Sequence, residues 1–183
     1  MARWESVLDE LVRDRGRALV GYAFLLCGDT AEAEDLVQDA IVKTFSGRLS
    51  ADAVLSAEAY VKRAVLTIYL DGFRRRKHWA TIRHLSATPE SDDGARTEAL
   101  VTDRMHVFSA LGTLSPRERA CVVLRFYEDM TVRQIADHLS LSQGTVKRYL
   151  SDAVRSLEQT LGPVEHELSE EFETTPVQGR RAR

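Results

Sequence analysis

The feature that most constrains this chain is a pair of capping boxes, Ser115-Pro116-Arg117-Glu118 and Thr131-Val132-Arg133-Gln134, each running into apolar residues at helical spacing. In such a box the Ser or Thr hydroxyl accepts from the backbone N–H three residues on, while the Glu or Gln there reaches back to the cap. Pro116 sits at the first helical position, where no amide hydrogen is missed. Val132, Ile135, Ala136 and Leu139 then fall on one face of a short helix. After Ser140-Leu141-Ser142 a further run opens with Gln143-Gly144-Thr145, and Val146, Leu150, Ala153, Val154 and Leu157 form its apolar stripe. Two short helices joined by a few residues, the second carrying Gln143, Thr145, Lys147 and Arg148 near its start, match a helix-turn-helix that lays its second helix in a major groove. Spacing alone leaves an ordinary capped helical bundle as an equal reading.

Composition limits the alternatives. A chain of 183 residues with 44% apolar and 29% charged residues, and only 10 glycines and 4 prolines, suits one large or two small helical domains. Its net charge of −3 gives no support to nucleic-acid binding, so the distribution of charge has to carry that reading. Cys27 and Cys121 stand far apart, without metal or disulfide-framework spacing, and read as small buried residues of a reducing compartment. His78, His84, His106, His138 and His166 do not cluster, so neither a metal nor a cofactor is expected. Arg3, Glu5, Asp9 and Glu10 interrupt the first apolar residues, unlike a signal peptide, and the run from Ala18 to Gly28 is too short to span a bilayer. A cytoplasmic protein without membrane insertion is expected. The sequence holds no glycine-rich phosphate loop, nucleophile elbow or metal-ligand spacing that would argue for an enzyme.

In chain order, Trp4, Val7, Leu8, Leu11, Val12, Leu19, Tyr22, Ala23 and Leu26 predict a first amphipathic helix, stopped at Gly28-Asp29. Asp29 or Thr30 caps a second, with Glu32 placed to complete the box and Ala33, Leu36, Val37, Ala40, Ile41, Thr44 and Phe45 turned to the core. Its other face carries Glu32, Glu34, Asp35, Gln38 and Asp39, with no basic residue until Lys43; composition reads this as a solvated face that complements the helix dipole. A loop over 47–55 leads to Ser56, which caps a long helix with Tyr60, Val61, Ala64, Val65, Ile68 and Phe73. The sequence then becomes Arg74-Arg75-Arg76-Lys77-His78-Trp79, followed by Arg83 and His84. Such a cluster either solubilises a helix end or, interleaved with Phe73 and Trp79, holds phosphates while rings stack on unpaired bases. Tyr60 and Tyr69 read first as core rings with wet hydroxyls. The stretch 86–102, with Pro89, Ser91, Asp92, Asp93 and Gly94, reads as a flexible linker. Met105, Val107, Phe108 and Leu111 start the first helix of the second domain. From Gly162 to Arg183, with Pro163, Pro176 and Arg180-Arg181-Ala182-Arg183, a disordered or loosely attached tail is expected.

Leu114 to Arg119, Leu124-Arg125-Phe126-Tyr127, Ile135-Ala136 and Gly144-Thr145-Val146-Lys147, in this order, resemble region 4 of bacterial extracytoplasmic-function sigma factors. These form group 4 of the sigma-70 family, and the chain is similar to their actinobacterial SigE-like subgroup. Ala33 to Ala40 resembles sigma region 2.2, and the helix through the basic cluster resembles regions 2.3 and 2.4. The resemblance covers about residues 5–160. It implies an all-α protein of two small helical domains, a region 2 bundle over 1–85 and a region 4 helix-turn-helix over 103–161, flanking the linker 86–102 and followed by the tail 162–183. The implied partners are core RNA polymerase, through its β′ clamp and β flap, and promoter DNA, with a cognate anti-sigma factor expected.

The resemblance also implies roles. Glu34, Asp35, Gln38 and Asp39 would meet a basic polymerase surface. Tyr60, Lys62, Arg63, Thr67, Phe73, Arg74, Arg75, Arg76, Lys77 and Trp79 would hold melted −10 DNA. Thr145, Lys147 and Arg148 would enter the −35 groove, with Arg117, Arg119, Arg133 and Gln143 as secondary phosphate or base contacts. The chain departs from the family at Thr67, where relatives commonly carry asparagine, at Ser140, where many carry glycine, and at Tyr149 and Asp152, where arginines are frequent. A stand-alone helix-turn-helix regulator is the alternative reading.

Overall fold

The computed structural model describes residues 3–46, 56–83 and 103–162, and among these every element is helical. The expected loop 47–55, the linker 86–102 and the chain beyond 162 lie outside the described residues. Contacts divide the chain into two compact units, Met1–Phe108 and Ser109–Arg183.

The first unit packs three helices against one another in every pairing: α1 (Arg3–Cys27), α2 (Thr30–Phe45) and α3 (Ala57–Arg83). The turn between α1 and α2 is as short as the sequence suggests. Gly28 takes a positive φ of 80°, which a glycine adopts without penalty, and the Asp29 carboxylate accepts from the Glu32 backbone N–H at 2.8 Å to cap α2. Leu19, Tyr22 and Leu26 of α1, Ala33, Leu36, Val37 and Ala40 of α2, and Val61, Val65, Leu66 and Tyr69 of α3 fill the core. Each large side chain so buried contributes about 1.5–3 kcal/mol of transfer free energy.

Two expectations about this core need correction. Val12 is 49% exposed, because the apolar stripe of α1 is wider there than the surface that covers it. Tyr60 is 48% exposed and is not a core ring, whereas Tyr69 is buried at 6%. The cause is helical rotation of 100° per residue: Val61, Val65 and Tyr69 take the inward face of α3 and turn Tyr60 to the outward one.

The helix α4 (Asp103–Thr113) precedes the paired capping boxes. In the second unit, α5 (Pro116–Val122) begins at Ser115, whose N–H donates to Glu118 Oε2 at 2.8 Å while its Oγ accepts from the Glu118 N–H at 3.4 Å. A single π turn, Val123–Tyr127, then ends the helix, a widening that periodicity does not signal. Arg125 Nη1 donates to the Met130 carbonyl at 3.2 Å and ties the following loop back. The helices α6 (Val132–Leu139) and α7 (Gln143–Leu161) complete the unit, capped by Thr131 and Ser142. Ile135, Ala136, Val146, Leu150 and Ala153 are buried as the stripes predict, while Val132, Leu139, Val154 and Leu157 are only partly covered. Ser140 ends α6 at φ 54°, ψ 47°, the left-handed region that glycine favours and a serine enters at a cost.

Candidate nucleic-acid and partner interfaces

Three surfaces gather the residues singled out by the sequence. On α2, Ala33, Leu36, Val37 and Ala40 take the buried side, so Glu34, Asp35, Gln38 and Asp39 are all turned out and exposed. Asp35 and Asp39 are four residues apart, as are Glu34 and Gln38, so each pair lies along one line of the helix. Val42, 64% exposed, continues the Gln38 line, an apolar surface residue that the sequence reading left aside. The result is a rigid acidic ridge suited to a basic partner.

On α3 the outward stripe consists of Tyr60, Arg63, Thr67, Asp71 and Arg74, at spacings of three and four residues. Arg74 Nη2 lies 3.2 Å from Asp71 Oδ1, and Phe73 beside it is 39% exposed. The basic cluster continues on the helix itself, since α3 runs unbroken to Arg83; the side chains of Arg76, Lys77 and Trp79 lie outside the described ones. An aromatic ring and guanidinium groups along one exposed edge form a surface that can grip a phosphate backbone and stack a base.

Lys62 does not belong to this stripe. Its side chain is only 18% exposed, with Nζ 3.1 Å from Glu58 Oε1 and 5.7 Å from the Tyr22 ring centroid. The same Glu58 carboxylate accepts from Arg15 Nε at 2.7 Å and Nη2 at 2.8 Å. Lys62 is thus held inside a network that joins α1 to α3, and its expected DNA contact is replaced by a structural role. Thr67 is exposed, but its Oγ1 donates to the Arg63 carbonyl at 2.8 Å.

In the second unit Gln143 is exposed at the start of α7, and Arg148 and Arg155 are exposed farther along it with the partly covered Asp152 between them. The Arg148 guanidinium lies 5.5 Å from the Tyr149 ring centroid, an arrangement that steadies the side chain. Asp152 is 3.8 Å from Arg155, so its charge is offset by a neighbour. Arg155 falls seven residues after Arg148 on the same face, beyond the helix start whose residues carry the family resemblance. Thr145 and Lys147 are partly covered, and the Thr145 hydroxyl is 2.8 Å from the capping Ser142 Oγ. Arg133 is exposed and Arg117 partly covered. Arg119 is buried at 8%, with Nη2 about 4.0 Å from the point where a Cβ on Gly112 would lie. It packs inside the unit, so its expected DNA contact is also withdrawn.

The cysteines carry no chemistry of this kind. Burial pushes the Cys121 thiol up to about 12. The Cys27 thiol is also raised by burial, and its Sγ donates to the Asp29 carbonyl at 3.2 Å. Among the described residues no His, Cys, Asp and Glu group could hold a metal ion, and no helix is long and apolar enough to cross a membrane.

Comparison with known proteins matches both units separately. The sigma-70 region 2 family pattern matches residues 11–78, and the sigma-70 region 4 pattern matches residues 110–159. The chain is 35% identical over 155 residues to the RNA polymerase sigma-E factor of Streptomyces avermitilis, covering 84% of each chain. It is 32% identical over 154 residues to the Streptomyces coelicolor RNA polymerase sigma-E factor, covering 84% of this chain and 85% of the other. With the extracytoplasmic-function sigma factor SigL of Mycobacterium tuberculosis H37Rv it shares 30% identity over 159 residues, 85% of this chain and 89% of that one. Among solved structures, the fold is similar to the sigma factor RpoE in complex with the anti-sigma factor NepR from Bartonella quintana. The TM-score is 0.56 at 22% identity, covering 79% of this chain and 90% of that one.

Proposed function

The chain belongs to the sigma-70 family of RNA polymerase sigma factors, in its extracytoplasmic-function group, and from that premise we propose how its surfaces divide the work of promoter-directed initiation. As an alternative sigma factor it binds core RNA polymerase and directs it to promoters. The acidic ridge of Glu34, Asp35, Gln38 and Asp39 takes the basic surface of the β′ clamp. The ridge is rigid because four buried residues on its reverse side fix α2, so its charges arrive pre-positioned.

The stripe Tyr60, Arg63, Thr67 and Arg74, with Phe73, Arg75 and the cluster Arg76, Lys77 and Trp79, holds the −10 strand once it is unpaired. Phosphates are gripped by guanidinium groups and a base stacks on an exposed ring, which is worth about 1–3 kcal/mol per base. The −35 duplex is read by α7 through Arg148 and Gln143, with Thr145 and Lys147 at the groove edge and Arg155, Arg133 and Arg117 toward phosphates. The protein performs no chemistry of its own and acts in the cytoplasm with the polymerase. The two working domains are 1–85 and 103–161, with 86–102 as the connecting linker and 162–183 as a tail; family matches over 11–78 and 110–159 fall within them. An anti-sigma factor covers these surfaces when the protein is silent; the existence of a complex between the similar Bartonella sigma factor and an anti-sigma factor supports a partner of that kind.

The observation that carries the reading is the coexistence in one chain of an exposed acidic ridge on α2 and an exposed basic, aromatic stripe on α3. A stand-alone regulator needs only the second unit. Electrophoretic mobility shift with promoter DNA separates the two: specific binding that appears only when core polymerase is added supports the sigma reading, and tight dimeric binding by the isolated protein overturns it.

A further inference from the structure

We propose that residues 164–175 form a further helix that folds back antiparallel on α7 and covers the apolar strip left half exposed at its end. The docking surface lies on the side of α7 away from Arg148 and Arg155, so it is independent of the DNA-reading assignment.

The apolar stripe of α7 outruns the helices that cover it. Val146, Leu150 and Ala153 are at 0% exposure, whereas Leu157, four residues farther on the same line, is only partly covered, as is Val154 beside it. Leu161, one turn beyond, is 38% exposed. Burial thus fades toward Gly162, and from Val154 to Leu161 a strip about 11 Å long is left for an occupant.

The chain itself supplies one directly after the strip. Gly162 stops α7 at φ 85°, and Pro163 cannot continue that helix. Val164, Leu168 and Phe172 then recur at every fourth position, while Glu165, Glu167, Glu170, Glu171 and Glu173 take the remaining faces. Glu165 near the start complements a helix dipole, and Pro176 turns the residue before it away from helical geometry. The result is an amphipathic pattern with a start and a stop, about 12 Å long from Val164 to Phe172, which matches the strip.

The two apolar sets also share a register. In antiparallel helices joined by a tight turn, residues equally far from the turn lie at the same level. Counted outward from the Gly162-Pro163 junction, Leu161 meets Val164, Leu157 meets Leu168, and Ala153, with Val154 beside it, meets Phe172. Arg148 and Arg155 lie about 180° and 160° around α7 from Leu157, so the docked segment leaves both facing out.

Amide hydrogen exchange of the full chain, read by mass spectrometry at several protein concentrations, tests this. Exchange over 166–173 should be slowed by about tenfold or more relative to an unfolded peptide of that sequence, equally at every concentration. Leu161→Gln, which removes an apolar contact at an already exposed site, and Leu168→Gln should each restore fast exchange there while 143–155 keep their protection. Arg155→Asp, on the opposite face, should change nothing. Unslowed exchange over 166–173 in the wild type, or protection that survives both glutamine variants, overturns the proposal. So does protection that grows with concentration, which would make a second copy the occupant. Protection lost in Arg155→Asp also overturns it, because the glutamates would then lie against the DNA-reading face.

Discussion

Glu58 accepts both N–H arms of Arg15, at 2.7 and 2.8 Å, and so fastens α1 to the start of α3 across the first unit. The fork of a guanidinium fits a carboxylate in this two-point way, and Lys62 Nζ adds a third contact at 3.1 Å. The Arg15 hydrogen bonds, followed by that from Lys62, hold the Glu58 carboxyl below its ordinary value of 4.5.

A depressed carboxylate stabilises the fold above its unfolded value and stops doing so as pH falls through its folded one. Glu58→Gln should therefore lower stability at neutral pH by about 0.5–1 kcal/mol, the range of a partly exposed pair. The difference from wild type should vanish on acidification below the depressed value. Urea denaturation of both proteins across pH checks this, and a gap that persists in acid would contradict it.

Ser140 carries a side chain in a left-handed conformation that ends α6. Ser140→Gly should raise the stability of the second unit by about 1 kcal/mol, since only the Cβ penalty is removed. Thr131→Ala, which deletes the cap accepting from the Gln134 N–H, should lower it by about 1 kcal/mol. Thermal unfolding of the two variants reads opposite shifts; a loss of stability in Ser140→Gly would contradict the cost assigned to that backbone.

Two arginines near in sequence to the DNA-reading helices should behave differently. Arg148 is exposed and Arg119 is 8% exposed. Arg148→Ala should weaken holoenzyme binding to −35 duplex by about 1–3 kcal/mol and relax the preference at one base position. Arg119→Ala should destabilise the fold by about 2 kcal/mol through lost packing. Its salt slope should match wild type, and a reduced slope with unchanged stability would return Arg119 to the DNA surface.

The acidic ridge gives the prediction for the polymerase contact. Asp35→Lys combined with Asp39→Lys should cut affinity for core polymerase by about 100-fold, because like charges would then face each other. Circular dichroism and Tm should stay at wild-type values, since both residues are exposed. Unchanged affinity would mean that the clamp is met elsewhere.

How much of this could be read from the residues depends on the kind of signal. Caps at Asp29, Ser115 and Thr131 were legible because a short side chain and its partner three residues on are a local event. The buried stripes of α2 and α7 were legible because period alone separates their faces. Tyr60 was misread because an aromatic next to Val61 looks apolar until the rotation of α3 is fixed by its packing partners. Lys62 and Arg119 were misread because sequence shows a positive charge but not the Glu58 and Tyr22 beside the one, or the packing around the other. The π turn at Val123–Tyr127 has no periodic signature short enough to detect. The committed hydroxyl of Thr67 depends on a single rotamer, which no spacing encodes.

Run-off transcription with purified core polymerase, over a promoter library, tests the division of labour among these surfaces most directly. Transcripts starting at defined sites should appear only when the chain is added, and should be lost with the Asp35 and Asp39 reversal. No promoter-directed transcript from any template, or full activity of the reversed variant, would contradict it.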